Sequence, residues 1–199
     1  MGRKLDISKR DEIAQRAVTL LKERGPHRLS MSELARALEM KRSTLYWYFG
    51  NMEAIFEWTL RSVLEQLAHA SAQRLIGAEH PIDALFQFAL AVDDFFKDRA
   101  DTLVFLFQLW SASGGTGPEL AVEISSEYFL PRRQMAIAMI ESGIEASLVA
   151  PCDPAALVHF VSAFIDGLLV QRIADPEHLP ALHDFLWKHV LEPLKLQPT

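Results

Sequence analysis

The sequence predicts an all-α fold, with a small domain over residues 1–54 and a larger helical domain over residues 55–199. Apolar residues make up 50% of the 199 residues and recur at spacings of three and four, as on the buried face of a helix. Alternating β-branched runs, which are typical of strands, are few. A single Cys allows no intramolecular disulfide, so the hydrophobic core has to stabilise the fold, which suits a reducing cytosol.

Charge is divided unevenly along the chain. The 20 basic and 26 acidic side chains give a formal charge of −6. Residues 1–50 contain 11 basic and 6 acidic side chains, a balance of +5, which leaves 9 and 20, a balance of −11, for residues 51–199. Because phosphate binding needs cations, the split favours a polyanion-binding module joined to an acidic body. Chance clustering of charge on solvated faces is the alternative.

Local signals predict the individual helices. Ser30 and Glu33 have capping-box spacing, Asn51 can cap the fourth helix, and Pro131 should kink or divide the helix that contains it. SGGTGP, at residues 113–118, predicts a loop. The predicted helices cover residues 8–24, from 30 to about 38, 42–49, from 51 to beyond 67, 81–96, 102–111, 119–146, 154–173 and 179–194.

The second and third helices, two short helices joined by a tight turn, have the geometry of a helix-turn-helix, whose second helix lies in the major groove of DNA. Leu45 and Phe49 would anchor that helix to the core. Three aromatic side chains at consecutive positions cannot share one buried face of a helix, so we expect them to face outward. Arginine can bond guanine or phosphate, tyrosine can bond phosphate, and tryptophan suits apolar contact with a thymine methyl or a sugar. The predicted DNA-binding residues are Lys41, Arg42, Ser43, Thr44, Tyr46, Trp47, Tyr48 and Asn51.

A combination of residues between positions 13 and 55 carries a family resemblance. They are Ile13, Ala14, Ala17, Gly25, Leu29, Ser30, Met31, Leu34, Ala35, Ala37, Leu38, Thr44, Leu45, Tyr46, Phe49, Glu53, Ala54 and Ile55. Together they resemble the N-terminal domain of the TetR family of bacterial transcriptional regulators. The resemblance implies a helix-turn-helix domain of three helices, followed by a helical domain that dimerises and holds a small-molecule pocket.

Three positions depart from the family's pattern. Glu39 stands where the family usually has Gly in the turn, so the position must avoid a positive φ or accept a cost. Lys41 replaces the usual Ser cap of the third helix and adds a possible phosphate contact. Met52 replaces a phosphate-binding Lys, although Asn51 and the helix N-terminus could still hold a phosphate. Operator affinity is therefore expected to depend more on Lys41 and the two tyrosines.

The larger domain is rich in aromatic and thioether side chains, which suit an adaptable apolar cavity. The predicted ligand-binding residues are Phe88, Val92, Phe95, Phe105, Trp110, Met135, Met139 and Phe160. An ordinary bundle core is the alternative for each of them. Asp93, Asp94, Glu123 and Glu127 would select a cationic ligand if they pointed inward, although acidic residues on helices are usually solvated.

The last two helices are the predicted dimer interface. Gly167 inside a helix costs about 1 kcal/mol relative to Ala, which a close approach between helices would explain. Packing within one subunit is the alternative, because both helices also have to cover their own core. The predicted interface residues are Phe164, Gly167, Leu168, Gln171, Phe185, Leu186 and His189.

Nothing in the sequence predicts catalysis, a cofactor or a metal site. The seven His residues fall in no metal-ligand spacing, and no P-loop, dinucleotide or H-E-x-x-H motif is present. No activating partner for Cys152 is evident. The opening residues lack an apolar signal segment, and no stretch approaches the ~18 uninterrupted apolar residues of a membrane span. We therefore expect a cytoplasmic protein.

These observations predict a homodimeric regulator that binds a palindromic operator in double-stranded DNA. Repression is favoured over activation, because blocking a promoter requires only occupancy. An apolar or amphipathic effector bound within residues 81–165 would release the DNA. The alternative is a ligand-independent adaptor that binds DNA and a protein partner. An enzyme would need a polar cluster of perturbed groups in the cavity.

Overall fold

The computed structural model describes residues 6–24, 30–111 and 117–196. These residues confirm the predicted all-α fold, and their only β pairing is an isolated bridge between Val149 and Lys195. The helices are α1 (Ile7–Arg24), α2 (Met31–Ala37), α3 (Arg42–Tyr48), α4 (Met52–Leu75), α5 (Pro81–Phe96), α6 (Ala100–Ser111), α7 (Gly117–Glu145), α8 (Pro154–Ala174) and α9 (Leu179–Leu186). Short 3-10 and π segments follow at Pro176–His178, Trp187–Leu191 and Glu192–Leu194.

Two details of the predicted helices are wrong. Gly117 and Pro118, assigned to a loop, begin α7, while residues 113–116 of that loop lie outside the described residues. Proline is tolerated there because the first turn of a helix needs no N–H partners. Pro131 does not divide α7, which continues to Glu145. A proline removes one hydrogen bond from a 29-residue helix, and the other turns continue on both sides.

The chain folds into two compact units. The first contains Met1–Leu64 and Val104–Ser125, and the second contains Glu65–Leu103 and Ser126–Thr199. This division differs from the expected one at residues 54 and 55. The reason is packing in the first unit, where Phe105 of α6 and Val18 of α1 form a buried cluster with Phe56 of α4 against it. Part of α6 therefore belongs to the first unit.

The core of the first unit contains the apolar faces of α1, α2 and α3 and the start of α4. Its buried residues are Ile13, Ala14, Ala17, Met31, Leu34, Ala35, Leu38, Leu45, Phe49 and Ile55. Ser30 and Glu33 form the predicted capping box, with the Ser30 N–H donating to Glu33 Oε2 at 2.8 Å. Asn51 caps α4 by accepting a hydrogen bond from the Ala54 N–H at 2.8 Å. Local caps thus set where α2 and α4 begin.

In the second unit, α5 and α8 begin at side-chain caps followed by proline. His80 Nδ1 accepts from the Ile82 N–H at 3.1 Å, and Asp153 accepts from the Ala156 N–H at 2.9 Å. The chain near residue 195 pairs with residues 148–150 through two backbone hydrogen bonds of 2.8 Å. These contacts connect the end of the described chain to the loop before α8.

The surface of α8 is unusually apolar. By length and composition alone this helix would suffice to cross a membrane, a test that core helices of soluble proteins also pass. Only 22% of its most apolar 18-residue window is buried, and Phe160, Val170 and Ile173 are exposed. A single subunit therefore leaves much of α8 uncovered.

Candidate nucleic-acid interface

The turn between α2 and α3 places Glu39 in the left-handed region, at φ +55°. The Met40 N–H donates to the Ala35 carbonyl at 2.9 Å, and the Glu39 N–H donates to the Arg36 carbonyl at 3.1 Å. This pattern closes the end of α2 in the manner of a Schellman motif, for which Gly is preferred. The chain therefore accepts the conformational cost at Glu39 and keeps the turn.

Two buried side chains attach α3 to the first unit. Leu45 and Phe49 are almost fully buried, as predicted. Lys41, at the N-cap, makes no side-chain cap, and its carbonyl accepts from the N–H groups of Thr44 at 2.9 Å and Leu45 at 3.1 Å. The Lys41 side chain is exposed and remains available to a ligand in solution.

The structure places most of the predicted DNA-binding residues on the surface. Tyr46 and Trp47 are 40% and 41% exposed, which is unusual for large aromatic side chains. Tyr48 is half-buried, packs against the core and meets the Trp47 ring edge-on at 4.7 Å. The other predicted residues are all exposed: Lys41, Arg42, Ser43, Thr44 and Asn51.

Arg42 and Tyr46, one turn apart on α3, form a cation–π contact. The guanidinium carbon lies 5.4 Å from the centre of the Tyr46 ring. Such contacts at exposed sites are worth about 0.5–1 kcal/mol and restrict the arginine without occupying its N–H donors. The donors therefore remain free to bind a guanine edge or a phosphate.

Several cations of residues 1–50 form ion pairs or hydrogen bonds within the first unit. Lys9 pairs with Glu12 at 2.7 Å, and Arg16 donates to the Leu38 carbonyl at 3.3 Å. By contrast, Arg36, Lys41 and Arg42 are exposed. The placement of five further basic side chains lies outside the described residues, namely Arg3, Lys4, Lys22, Arg24 and Arg28. Among the described cations of residues 1–50, Arg36, Lys41 and Arg42 thus present exposed positive charge around α2 and α3.

A contact between α1 and α4 was not predicted from the sequence. Trp58 Nε1 donates a hydrogen bond to Asp11 Oδ1 at 2.7 Å. Beside it, the Arg10 guanidinium lies over the Trp58 ring at 4.0 Å and the Phe49 ring at 4.9 Å. Asp11 and Trp58 are 47 positions apart in the sequence, so no local sequence pattern predicts the contact.

The predicted ligand-binding residues do not share one environment. Val92 and Phe95 are buried in the second unit, whereas Phe105 belongs to the core of the first unit. Met135 is 72% exposed and Phe160 50% exposed. Phe88 and Met139 are half-buried, and the Trp110 side chain lies outside the described residues.

Two of the acidic residues considered for a cationic ligand are paired with arginines. The Arg172 Nε donates to Asp93 Oδ1 at 2.9 Å, and Arg74 forms an ion pair with Asp94. A carboxylate neutralised by a guanidinium has little capacity left for a cationic ligand. Glu123 and Glu127 are exposed. Their arginine partners therefore weigh against a role of Asp93 and Asp94 in binding a cationic ligand.

The predicted dimer residues fall into two groups. Leu168 and Leu186 are 2% and 0% exposed, so these two side chains pack inside their own subunit. Phe185 is 58% exposed, with its ring 4.7 Å from that of His189. Phe164 is half-buried, and the remaining predicted residues, Gly167, Gln171 and His189, are exposed. The alternative of packing within one subunit thus fits Leu168 and Leu186.

Cys152 is the one cysteine of the chain and lies half-buried before α8. Burial, and secondarily the neighbouring Asp153 carboxylate, raises the pKa of its thiol. A raised pKa reduces the thiolate fraction at neutral pH and with it the nucleophilicity. Within residues 6–24, 30–111 and 117–196, no group of three His, Cys, Asp or Glu side chains could hold a metal ion.

Comparison with known proteins agrees with this arrangement. Residues 13–58 match the model of the bacterial regulatory proteins of the tetR family. The chain is 27% identical over 79 residues to the biofilm operon icaADBC negative transcriptional regulator IcaR of Staphylococcus aureus (strain Newman). That match spans 40% of this chain and 42% of IcaR.

Solved structures resemble almost the whole chain. A TetR transcription regulator from Haloarcula marismortui ATCC 43049 has a TM-score of 0.79 at 17% identity, covering 96% of this chain and 100% of the other. A regulator from Saccharomonospora viridis, solved with choline, has a TM-score of 0.70 at 18% identity, covering 96% and 100%. Residues 13–58 thus match the tetR family model, and the fold of nearly the whole chain is similar to that of solved TetR regulators.

Proposed function

We propose that this protein is a DNA-binding transcriptional regulator that acts as a homodimeric repressor. The observation that carries the proposal is α3, which is anchored by Leu45 and Phe49 and exposes a continuous set of donors and aromatic rings. In a helix-turn-helix, these side chains enter the major groove. The name of IcaR, a negative regulator, supports repression.

The exposed side chains on and beside α3 have distinct roles in this proposal. Arg42 binds a guanine edge or a phosphate, while Lys41 neutralises a phosphate. The Tyr46 hydroxyl binds a phosphate oxygen, and the exposed Trp47 ring contacts a thymine methyl or a sugar. The exposed Asn51 lies at the cap of α4, beside the same surface.

The proposed dimer forms through the uncovered face of α8 and through α9. Gly167 supports this because a Cβ at its position would meet nothing within 4 Å in a single subunit. Packing inside the subunit therefore does not explain a helix-destabilising residue there. The exposed Phe185 and Phe160 provide apolar surface for association. Two α3 helices related by a two-fold axis would read half-sites about one helical turn, or a multiple, apart.

We further propose that a small apolar or amphipathic molecule bound in the second unit releases the DNA. The second unit contains the half-buried Phe88 and Met139 and the buried Val92 and Phe95, apolar side chains of the kind that such a molecule would contact. The choline complex of the Saccharomonospora viridis protein supports a small-molecule site in this fold. A regulator of chromosomal DNA acts in the cytoplasm, so we place the protein there.

The test selects fragments of genomic DNA on the wild-type protein and measures affinity for the selected fragment. Arg42→Ala should weaken binding about tenfold or more, since a good base contact contributes ~1–3 kcal/mol. Tyr46→Ala removes a hydrogen bond to a charged phosphate, which contributes ~1.5–3 kcal/mol, and should weaken binding by a similar factor. Lys188→Ala is the matched control, because this exposed cation of the second unit pairs with Asp184. Unchanged affinity in both α3 variants would show that α3 does not enter the groove.

The alternative function is a DNA-binding adaptor that responds to a protein partner and needs no small ligand. The exposed apolar residues of α7, Leu130 and Met135, favour it as surface for a partner. Titration of the DNA complex with apolar and amphipathic molecules separates the two, because only a ligand-controlled repressor releases its fragment.

A further inference from the structure

We infer that Asp11 and Trp58 are positioning residues for DNA binding, which hold α3 and the start of α4 in the orientation that the operator requires. This inference rests on the proposed function. Neither residue belongs to the exposed surface of α3, and neither carries a positive charge that would bind phosphate. Their effect on DNA would therefore act through the placement of other residues.

A hydrogen bond between Trp58 and Asp11 joins α4 to α1. Trp58 Nε1 and Asp11 Oδ1 are 2.7 Å apart, and both side chains are partly buried. An indole N–H has a single donor direction, so the bond orients the ring as well as joining two helices. A hydrogen bond to a carboxylate is stronger than one between neutral groups. It thus connects the second turn of α4 to α1.

Arg10 connects the oriented Trp58 ring of α4 to the end of α3. Its guanidinium lies 4.0 Å from the Trp58 ring and 4.9 Å from the Phe49 ring. Phe49 is the C-cap residue of α3 and is buried. The oriented Trp58 ring therefore sets the place of Arg10, and Arg10 packs on the residue that ends α3. Together these contacts hold the junction between α3 and α4 against α1.

The junction between α3 and α4 sets the position of Asn51 and of the outward face of α3. Only two residues, Gly50 and Asn51, separate Phe49 from α4, and Asn51 is tied to α4 by its cap. Tyr46 and Trp47 lie less than one turn before Phe49. A rotation of α4 against α1 would consequently move Asn51 and tilt the outward face of α3. Base contacts tolerate little displacement, whereas nonspecific phosphate contacts tolerate more.

Charge and positioning predict opposite results for Asp11, which makes a sharp experiment possible. Removing a carboxylate from a DNA-binding unit should strengthen DNA binding if only charge matters. Asp11→Ala also removes the acceptor, so positioning predicts weaker binding. Asp11→Asn removes the charge but keeps an oxygen that can accept from Trp58, and it should bind at least as tightly as wild type. Trp58→Phe keeps an aromatic ring under Arg10 and loses the donor together with part of the ring area.

Unfolding curves and gel filtration first establish the folded fraction of each full-length variant. Each variant is then titrated with the fragment selected by the wild-type protein and with a scrambled duplex of equal length. We expect Asp11→Ala and Trp58→Phe to lose about tenfold in affinity for the fragment, the equivalent of a charge-assisted hydrogen bond. Affinity for the scrambled duplex should remain within about twofold for Trp58→Phe and should not fall for Asp11→Ala, because nonspecific binding depends on charge and not on base contacts. Asp11→Asn should restore fragment binding.

The inference would be overturned if Asp11→Ala and Trp58→Phe bound the fragment as tightly as wild type, per folded molecule. A bond that only stabilises the fold would change only the folded fraction. If Asp11→Ala does not fold, Trp58→Phe alone decides. Failure of the wild-type protein to select any fragment would instead contradict the proposed function, so the two failures are distinguishable.

Discussion

Arg172 on α8 and Asp93 on α5 form a buried ion pair, in which the guanidinium Nε donates to the carboxylate at 2.9 Å. Their side chains are only 11% and 9% exposed. Removing one partner from such a pair leaves a buried charge uncompensated. The pair connects two helices of the second unit that are 79 positions apart at these residues.

We predict that Asp93→Ala lowers the free energy of unfolding by about 3 kcal/mol, because Arg172 is then left buried and unpaired. The double variant Asp93→Leu with Arg172→Met should recover most of the loss. Asp184→Ala, which removes the exposed partner of Lys188, should cost less than about 1 kcal/mol. Urea unfolding measures all three, and equal losses in Asp93→Ala and Asp184→Ala would contradict the prediction.

Stability should fall when the pH drops below about 6.5, because of His183. Its burial lowers the pKa of this imidazole below the ordinary 6.5, and Arg172 and Arg74 act in the same direction while Asp93 and Asp94 oppose them. The folded protein therefore keeps His183 neutral at a pH where the unfolded chain takes up a proton. Uptake by the unfolded chain favours unfolding as the pH falls.

The measurement is the urea midpoint of wild type and His183→Gln at about pH 7.5 and about pH 5.5, on either side of the ordinary histidine pKa. The loss of stability at the lower pH that is attributable to His183 comes from proton uptake by the unfolded chain below the ordinary histidine pKa. It should be absent from His183→Gln and retained in His178→Gln, whose imidazole is exposed. The same loss in wild type and His183→Gln would count against this assignment.

Glu39→Gly should stabilise the protein by about 1 kcal/mol, because Glu39 occupies the left-handed region at φ +55°. Glu39→Ala removes the same charge but keeps a Cβ, and so serves as the control that should give no such gain. Thermal unfolding of both variants measures the difference. If Glu39→Ala stabilised as much as Glu39→Gly, charge and not conformation would be the cause.

Substitution by alanine should change the stability of the fold differently at two helical glycines. At Gly143 a Cβ would lie 2.7 Å from Val149 Cγ2 and 3.0 Å from Pro81 Cγ, so Gly143→Ala should destabilise the fold by about 1 kcal/mol net. At Gly167 a Cβ meets open space within the subunit, and Gly167→Ala should preserve the subunit fold. Urea unfolding of the two variants measures the difference, and equal stability would contradict it.

The proposed dimer interface adds a second expectation for Gly167→Ala. If two helices approach closely there, the added methyl weakens the dimer even though alanine favours the helix. Sedimentation equilibrium should show a larger dissociation constant for Gly167→Ala than for wild type. An unchanged dissociation constant would remove Gly167 from the interface.

The helices and much of the α3 surface followed from the sequence because they depend on neighbours three or four residues away. The Ser30–Glu33 box, the Asn51 cap and the buried positions of Leu45 and Phe49 are all of this local kind. The charge split between residues 1–50 and 51–199 was likewise evident from composition alone.

The pairing of distant side chains was decided only by the tertiary structure. The packing of helices against each other brought Trp58 to Asp11 and Arg172 to Asp93, and it assigned Phe105 to the first unit. It also turned Leu168 into the core while leaving Gly167, its neighbour, exposed. A helical pattern specifies which residues share a face, but the partner of that face depends on how separate helices pack, which periodicity does not encode.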